Sequence, residues 1–380
     1  MIYFDNGATT FPKPPAVTRA MINVMNRAGA NPGRSGHKMS LRAGEIIYNC
    51  RENAARLLGV DAPENIIFTL NCTEALNIVI HGLLKRGDHA VISSLEHNAV
   101  LRPLEYLKQT SGVSYTAAEA VEGDDDLTLD NFRRAIQKNT RLVICTAASN
   151  VFGIRLPVER LAAMCSIYGI PLCVDAAQTA GCVPVSLSDS GISFLCCAGH
   201  KGLYGPMGTG LLAVNSEKLP ESLIQGGTGS MSASASQPDE LPDKYESGTP
   251  NLAGIAGLNE GIKFVLSRGE DRILKSETEK MRLLFDGLSK NKNVILYTER
   301  PSPDTHVPVL SFNIRGRDSE EVASVLSDKF NIAVRAGLHC APLAHRAYLT
   351  EETGTVRAVA SVFTSSSQIE YFISAVNKFF

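Results

Sequence analysis

The residues best suited to chemistry in this sequence are a lysine and an aspartate, each beside an apolar run. Lys201 lies in residues 198–210, where glycines let the backbone approach a ligand closely. Asp175 ends the apolar run at residues 171–175, where an unpaired carboxylate would be costly. Enzymes that use pyridoxal 5'-phosphate (PLP) pair an Asp with the protonated pyridine nitrogen and a Lys with the aldehyde. The alternatives are a lysine that reaches solvent beside a tight turn and an aspartate that caps a helix.

A third feature could bind a phosphate. Residues 70–76 are predicted to run from a strand into a helix, so that free backbone N–H groups and the Thr73 hydroxyl would face an anion. The alternative is an ordinary helix cap by Thr73, with Glu74 in the first turn. The glycines around Lys201 match neither a P-loop nor a dinucleotide-binding fingerprint.

Strands and helices are predicted to alternate around these residues. Apolar runs predict strands at 65–70, 89–95, 141–147, 171–175, 193–197 and 210–214, with helices such as 73–84, 129–138 and 158–168 between them. This alternation is typical of parallel strands joined by crossover helices. Runs that are apolar on both faces indicate a sheet covered on both sides.

The pattern changes after this region. Residues 225–250 are rich in Gly, Ser and Pro and predict a long ordered loop or hairpin. The predicted elements beyond it are helices at 252–267 and 271–290, a strand at 307–314, a helix at 319–329 capped by Asp318 or Ser319, strands at 332–335 and 355–363, and a last helix at 366–379. We predict an α/β fold with a large domain at residues 15–260. Residues 1–14 and 261–380 would form a smaller α+β domain.

Composition excludes several functional classes. The 380 residues carry 37 Lys and Arg against 39 Asp and Glu and no Trp, which argues against a nucleic-acid binder. No segment has the length and composition of a membrane span or a signal peptide, so we expect a cytoplasmic protein. The nine cysteines lack CxxC pairs and metal-ligand spacing, so we expect neither a disulfide scaffold nor a metal site.

Taken together, these residues resemble the cysteine desulfurase and selenocysteine lyase family, within the class V aminotransferases and the fold-type I PLP enzymes. The resemblance covers essentially the whole chain and implies a large PLP-binding domain with a mainly parallel sheet of seven strands. The matching motifs, in chain order, are Phe4-Asp5-Asn6-Gly7-Ala8-Thr9-Thr10, Glu96-His97, Ser149-Asn150, Asp175-x-x-Gln178, His200-Lys201, Ser247-Gly248-Thr249-Pro250-Asn251, Arg335-Ala336-Gly337-x-His339-Cys340-Ala341 and Gly354-Thr355-Val356-Arg357.

The resemblance implies a PLP cofactor and a role for each matching residue. Lys201 would bond to the cofactor aldehyde and move the substrate Cα proton, and Asp175 would hold the pyridine N–H. His97 would stack on one ring face and help proton transfer, with Ala177 on the other face. The other implied cofactor contacts are Gln178 and Asn150 at the ring hydroxyl or the substrate, and Thr73, His200 and the partner subunit's Thr249 at the phosphate. Ala198 departs from the family, because relatives usually carry a Ser or Thr there that donates to the phosphate.

On the substrate side, the resemblance implies that Arg357 binds the carboxylate and that His37, Arg335 and Asn150 line the site. Cys340 would be the nucleophile. Its polar, Gly-broken segment predicts a mobile loop, and the neighbouring Arg335 and His339 would favour the thiolate. The alternatives are structural roles: a helix cap for His97, a turn role for Asn150, an arginine that reaches solvent at 357 and a buried core cysteine at 340.

The implied reaction converts L-cysteine to L-alanine and leaves a persulfide on Cys340, which an acceptor protein then receives. The implied assembly is a homodimer. A selenocysteine lyase acting on L-selenocysteine, and a class V aminotransferase or lyase that does not use Cys340, are the alternatives. The eight other cysteines lie in mostly apolar contexts, which disfavour a thiolate.

Overall fold

The computed structural model describes residues 1–32 and 36–379, in which strands and helices alternate along most of the chain. The strands are β1 (Ile2–Tyr3), β2 (Ile66–Thr69), β3 (His89–Ser93), β4 (Ser114–Ala118), β5 (Thr140–Thr146), β6 (Leu172–Asp175), β7 (Phe194–Ala198), β8 (Gly210–Val214), β9 (Val294–Leu296), β10 (Val309–Ile314), β11 (Ile332–Ala333) and β12 (Val356–Val359). The α-helices are α1 (Pro15–Arg27), α2 (Lys38–Leu58), α3 (Cys72–Leu83), α4 (Asn98–Ser111), α5 (Asp125–Ala135), α6 (Val158–Tyr168), α7 (Leu187–Ser190), α8 (Leu252–Arg268), α9 (Glu270–Leu288), α10 (Ser319–Phe330), α11 (Pro342–Ala347) and α12 (Ser366–Phe379).

A seven-stranded sheet forms the centre of the fold, in the order β2-β8-β7-β6-β5-β3-β4. Its strands run parallel except for β8, which is antiparallel to both of its neighbours. Successive residues of β5 belong to different apolar clusters: Val143 packs into one and Ile144 into the other. Helices therefore cover both faces, which explains the nearly continuous apolar runs in the sequence. The predicted α/β class with a mainly parallel sheet is confirmed.

Some elements were not predicted, and each has a physical reason. Strand β4 lies at the sheet edge, where most of its side chains are at least partly exposed, so the sequence lacks an apolar run there. The strands predicted at 332–335 and 355–363 are shorter in the structure, because the chain turns away after β11 and β12. The long segment at 225–250 has no regular helix or strand, so it is the predicted loop and not the alternative hairpin.

The carboxyl ends of the central parallel strands meet at one edge of the sheet. Thr146 at the end of β5 pairs with Asp175 at the end of β6, and Asp175 pairs with Cys196 in β7. Strand β7 then leads directly into His200 and Lys201. Ligands of open α/β sheets bind at this edge, so the fold places the predicted chemistry where a ligand can be reached.

A second set of strands lies beside the large sheet. Strands β12, β10 and β9 form an antiparallel sheet, and β1 pairs with β11 in parallel. Its core includes Phe4, Phe312 and Phe372, so that the first residues of the chain pack with the last helix. In the described residues, no helix has the length and apolar character needed to cross a membrane.

One buried ion pair attaches the long loop at 225–250 to the sheet. Nη1 and Nη2 of Arg51 contact the two carboxylate oxygens of Glu246 at 2.9 and 2.8 Å. The side chains are 7% and 17% exposed, and Glu246 also accepts the Phe68 N–H at 2.7 Å. Removing one partner of such a pair leaves the other charge buried and uncompensated.

We expect Arg51→Met to destabilise the protein by about 3 kcal/mol, because Glu246 would lose its cation. Urea unfolding measures this loss, and limited proteolysis should show faster cleavage within residues 225–250. Arg317→Met, in the exposed pair with Glu321, is the control and should cost less than about 1 kcal/mol. Equal losses in the two variants would contradict the role of the buried pair.

Candidate active site

A cavity opens at the carboxyl edge of the large sheet. Eight residues predicted to contact the cofactor line it: Thr73, His97, Asn150, Asp175, Ala177, Gln178, His200 and Lys201. The structure therefore brings together, from five separate segments, residues that lie up to 128 positions apart in the chain.

Asp175 is 5% exposed, and only one of its carboxylate oxygens has partners in the described residues. Oδ1 accepts from the Ala177 N–H at 2.8 Å and from the Cys72 thiol at 3.3 Å. The alternative role of a helix cap would account for the bond from the Ala177 N–H to Oδ1. It would leave Oδ2 without a protein donor. A buried carboxylate with one uncompensated oxygen is suited to a cationic N–H group in the cavity.

Lys201 projects into the same cavity and forms no ion pair with a described residue. Burial lowers the pKa of its amine, and the charges of Arg357 and Arg335 lower it further, while Asp175 opposes the change. The lowered pKa favours a neutral amine, which can act as a nucleophile or a base. This environment disfavours the alternative of a lysine that reaches bulk solvent.

The start of helix α3 leaves hydrogen-bond donors for an anion. The cap is Asn71, whose Oδ1 accepts the Glu74 N–H at 2.9 Å, so the alternative of a Thr73 cap is wrong. The Thr73 hydroxyl and the first backbone N–H groups therefore stay available at the positive end of the helix. His200 adds Nδ1, which is buried without a partner in the described residues. This donor set fits a phosphate although Ala198 supplies no hydroxyl.

His97 both caps a helix and lines the cavity. Its Nδ1 accepts the Ala99 N–H at 3.0 Å at the start of α4, so the cap alternative and a cavity role hold together. Burial lowers the pKa of His97, as do the charges of Lys201 and Arg335, against the attraction of Asp175. A neutral His97 that accepts at Nδ1 carries its proton on Nε2.

Arg357 is buried, at 1% exposure, so the alternative of an arginine that reaches solvent is wrong. Its Nη2 contacts Asp5 Oδ1 at 3.0 Å, and its Nη1 donates to the Asn150 backbone oxygen at 2.8 Å. The Nε–H has no partner in the described residues. Asp5 belongs to a motif that the sequence analysis recognised without assigning it a role.

Asn150 connects this arginine to the cysteine segment. Its side-chain Nδ2 donates to the His339 backbone oxygen at 2.8 Å, while Oδ1 is buried and has no partner in the described residues. The residue is 9% exposed and lines the cavity. An orphaned acceptor of this kind indicates a ligand donor in the cavity.

Cys340 is exposed, whereas the other eight cysteines are buried, as predicted. The backbone at His339 and Cys340 has φ of 49° and 58°, a left-handed pair that side chains with a Cβ rarely adopt. The Cys340 oxygen accepts the Asn98 N–H at 2.7 Å. The segment is a short turn with hydrogen bonds at both strained residues, and the mobility expected of this loop stays a prediction.

One expectation about the cysteine is wrong. His339 is buried, its Nε2 bonds to the Thr355 oxygen at 2.9 Å, and burial lowers its pKa to about 3. A histidine that is neutral at pH 7 supplies no charge to favour a thiolate at Cys340. Of the two predicted neighbours, only Arg335 remains as a cation.

Five predicted site residues do not line the cavity of Lys201 within one chain: His37, Arg335, Thr249, Arg357 and Cys340. His37 is exposed and caps helix α2, where its Nδ1 accepts the Ser40 N–H at 3.2 Å. Arg335 is exposed and its backbone pairs with that of Arg357. Thr249 is exposed and lines a separate cavity. Arg357 and the segment of Cys340 are joined to the cavity through Asn150, which bonds to Arg357 and to the His339 backbone.

Glu96 is a buried carboxyl group to which the sequence analysis gave no role. Its Oε1 accepts from the Ser93 hydroxyl and from the Thr146 N–H, which joins the end of β3 to the end of β5. Its Oε2 is buried with no partner in the described residues. Burial raises its pKa to about 8, and the nearby charge of Asp175 acts in the same direction. Glu96 is therefore mostly a neutral acid at pH 7.

We predict that Glu96→Gln gains stability relative to the parent protein as the pH rises. The folded parent keeps the proton up to about pH 8, whereas the unfolded chain loses it near 4.5, so its stability falls between these values. The advantage of the neutral glutamine should grow by about 1.4 kcal/mol per pH unit. Urea unfolding at about pH 5, 6.5 and 8, which span this range, measures the difference in the free energy of unfolding between Glu96→Gln and the parent protein.

Glu64→Gln, at an exposed site, controls for the loss of a carboxylate. A stability difference between Glu96→Gln and the parent that stays constant with pH would contradict a protonated Glu96.

In the described residues, no group of three or more His, Cys, Asp or Glu side chains is arranged to hold a metal ion.

Comparison with known proteins relates this geometry to a family. The family model for aminotransferase class-V matches residues 2–372. A protein of Pyrococcus abyssi named as a probable cysteine desulfurase is 36% identical over 389 aligned residues, covering 100% of this chain and 94% of the relative. The apo structure of a cysteine desulfurase from Thermococcus onnurineus has a TM-score of 0.89 at 32% identity, covering 99% and 94% of the two chains. A cysteine desulfurase from Escherichia coli, solved in an S-sulfonic acid form, has a TM-score of 0.87 at 26% identity, with the same coverage of the two chains. The match of the family model to residues 2–372, together with the cavity of Lys201 and Asp175, shows that the chain belongs to the class V aminotransferase family.

Proposed function

We propose that this protein is a PLP-dependent cysteine desulfurase that converts L-cysteine to L-alanine and leaves a persulfide on Cys340. The observation that carries the proposal is a chain of contacts between the cavity and the cysteine. Asn150 lines the cavity of Lys201, accepts from Arg357 and holds the backbone next to Cys340. The names of the relatives agree with this activity.

The residues present fit PLP. Asp175 Oδ2 suits the ring N–H, Lys201 suits the aldehyde, and the donors at the start of α3 with His200 suit the phosphate. When bound, PLP supplies an aldehyde that bonds to amines and a protonated ring that takes up electrons from the substrate Cα. The small side chain of Ala177 leaves room for a flat ring beside it.

The remaining steps belong to this chain's own residues. Lys201, with its lowered pKa, removes the proton from the substrate Cα. Arg357 binds the substrate carboxylate; its Nε–H has no partner among the described residues, and its Nη atoms are held by Asp5 and Asn150. His97 donates a hydrogen bond from Nε2, because its Nδ1 is occupied by the Ala99 N–H.

Cys340 acts on the substrate sulfur. Its thiolate forms a sulfur–sulfur bond as the Cβ–sulfur bond of the substrate breaks, and a proton replaces sulfur on Cβ. The balance is L-cysteine plus a Cys340 thiol giving L-alanine plus a Cys340 persulfide. The exposed position of Cys340 suits the later transfer of this sulfur to an acceptor protein.

The proposal extends to assembly, location and domains. Thr249 lies away from the cavity of its own chain, so we place it at the phosphate of a second subunit in a homodimer. Eight buried free thiols suit a reducing compartment, and we propose the cytoplasm. We also keep the division into a large domain at 15–260 and a small domain at 1–14 and 261–380.

We predict that borohydride treatment of the yellow protein attaches PLP to Lys201. Peptide mapping by mass spectrometry locates the label, and Lys201→Ala should lose turnover. Lys13 is an internal control, because burial lowers its pKa to about 8 but its amine donates to Thr10 Oγ1 and the His200 oxygen. Label on Lys13, or turnover by Lys201→Ala, would reject the assignment.

Cys340→Ser should reduce alanine formation from L-cysteine by more than about a thousandfold, as expected for loss of a nucleophile, while PLP stays bound. The loss with L-selenocysteine should be smaller, because selenium is the better leaving group. Cys165→Ala, at a buried helix position, is the control and should keep activity. Full activity of Cys340→Ser with L-cysteine would instead favour an aminotransferase or lyase that does not use this cysteine.

A shared active site predicts recovery of activity in mixed dimers. Lys201→Ala lacks the amine, and Thr249→Asp places a negative charge where the phosphate of the neighbouring site would bind. Co-expression of these two inactive variants should restore about a quarter of the parent activity, because half of the dimers would be hybrids with one intact site. Hybrid dimers without activity would show that each site is complete within one subunit.

A further inference from the structure

Cys72 is a buried thiol in the wall of the active-site cavity that the chemistry above does not use. It is the first residue of α3 and is 7% exposed. Its Sγ lies 3.3 Å from Asp175 Oδ1 and 3.3 Å from the Cys196 backbone oxygen. Of the nine cysteines, it alone lines the cavity of Lys201 within the described residues.

The two neighbours of this thiol fix the direction of the hydrogen bond. A carboxylate and a backbone carbonyl can only accept, so Cys72 must be the donor. Burial, strengthened by the charge of Asp175, raises the pKa of the Cys72 thiol well above its ordinary value, which keeps the S–H intact at neutral pH. The ionised carboxylate is the stronger of the two acceptors.

We propose that Cys72 is a positioning residue for the cofactor, an inference that rests on the proposed function. The thiol and the Ala177 N–H together occupy Asp175 Oδ1, so that the carboxylate cannot rotate freely and Oδ2 receives the ring N–H. The orphaned Oδ1 of Asn150 in the same cavity independently indicates that a ligand with donor groups binds there.

The thiol would act on the cofactor through the orientation of this carboxylate. Without it, the Ala177 N–H would be the one remaining donor to Oδ1 among the described residues, so that the carboxylate could turn and Oδ2 would meet the ring N–H less favourably. Cys72 thus acts through Asp175 and touches no reacting atom.

The first test needs no cofactor and uses the infrared S–H stretching band of the full chain. The difference spectrum between the parent protein and Cys72→Ala isolates the band of this thiol. We expect a band shifted to low frequency by the carboxylate, which moves to higher frequency when Asp175→Asn replaces the charged acceptor. A band at the frequency of a free thiol, or a band whose frequency stays the same in Asp175→Asn, would overturn the proposal.

The second test measures PLP binding by the full chain. Cys72→Ala should weaken PLP binding about tenfold, the effect of losing one hydrogen bond to a carboxylate. Cys72→Ser, which keeps a donor, should stay within about threefold of the parent.

Cys173→Ala removes a buried thiol of strand β6 that does not line the cavity, and it should match the parent. Equal behaviour of the alanine and serine variants at position 72 would overturn the proposal. Failure of the parent protein to bind PLP would instead reject the proposed function, and the infrared result would still stand on its own.

Discussion

The structure of the site depends on a carboxylate buried at the end of a central strand. Asp175 is 5% exposed, and the described residues satisfy only its Oδ1. Burying such a charge is costly unless a cation or donors compensate it. The parallel sheet fixes the position of this charge through the pairing of β6 with β5 and β7. Lys201 leaves the neighbouring strand on the same edge, so one topological feature places both groups in one cavity.

A second set of contacts joins this cavity to the exposed cysteine. Arg357 is held by Asp5 and by the Asn150 backbone, and the Asn150 side chain holds the backbone of His339. These bonds support the left-handed turn at His339 and Cys340, which would otherwise be strained. Arg357 and Cys340, which we propose as the substrate-binding arginine and the nucleophile, therefore share one support, so that a change at Asn150 would disturb both.

The sequence predicted the parts of the fold that depend on local patterns. The strand at 210–214 and the helix at 366–379 were predicted with the bounds that the structure has, because their apolar periodicity is unbroken. The edge strand β4 was missed because its exposed faces remove that periodicity. Of the eight cavity residues, Thr73, Asp175 and Lys201 were predicted from their local contexts, and the other five from the resemblance to the family.

Contacts between distant segments could not be predicted from the sequence. Asn71 instead of Thr73 caps α3, and only the geometry of the turn distinguishes these two polar residues, which lie two positions apart. The orphaned oxygen of Glu96 and the contact of Cys72 with Asp175 depend on the folded packing. The neutral state of His339 likewise follows from burial, which a polar sequence segment did not indicate.

The central claim is that the cavity of Lys201 and Asp175 delivers sulfur to Cys340. The most direct test is to mix the PLP-loaded protein with L-cysteine in the absence of an acceptor and to measure alanine and peptide masses in the same sample. We predict one alanine per active site in the first turnover and the added mass of a single sulfur atom on the peptide that contains Cys340. Alanine formed without sulfur on that peptide, or sulfur on one of the eight buried cysteines, would contradict the account.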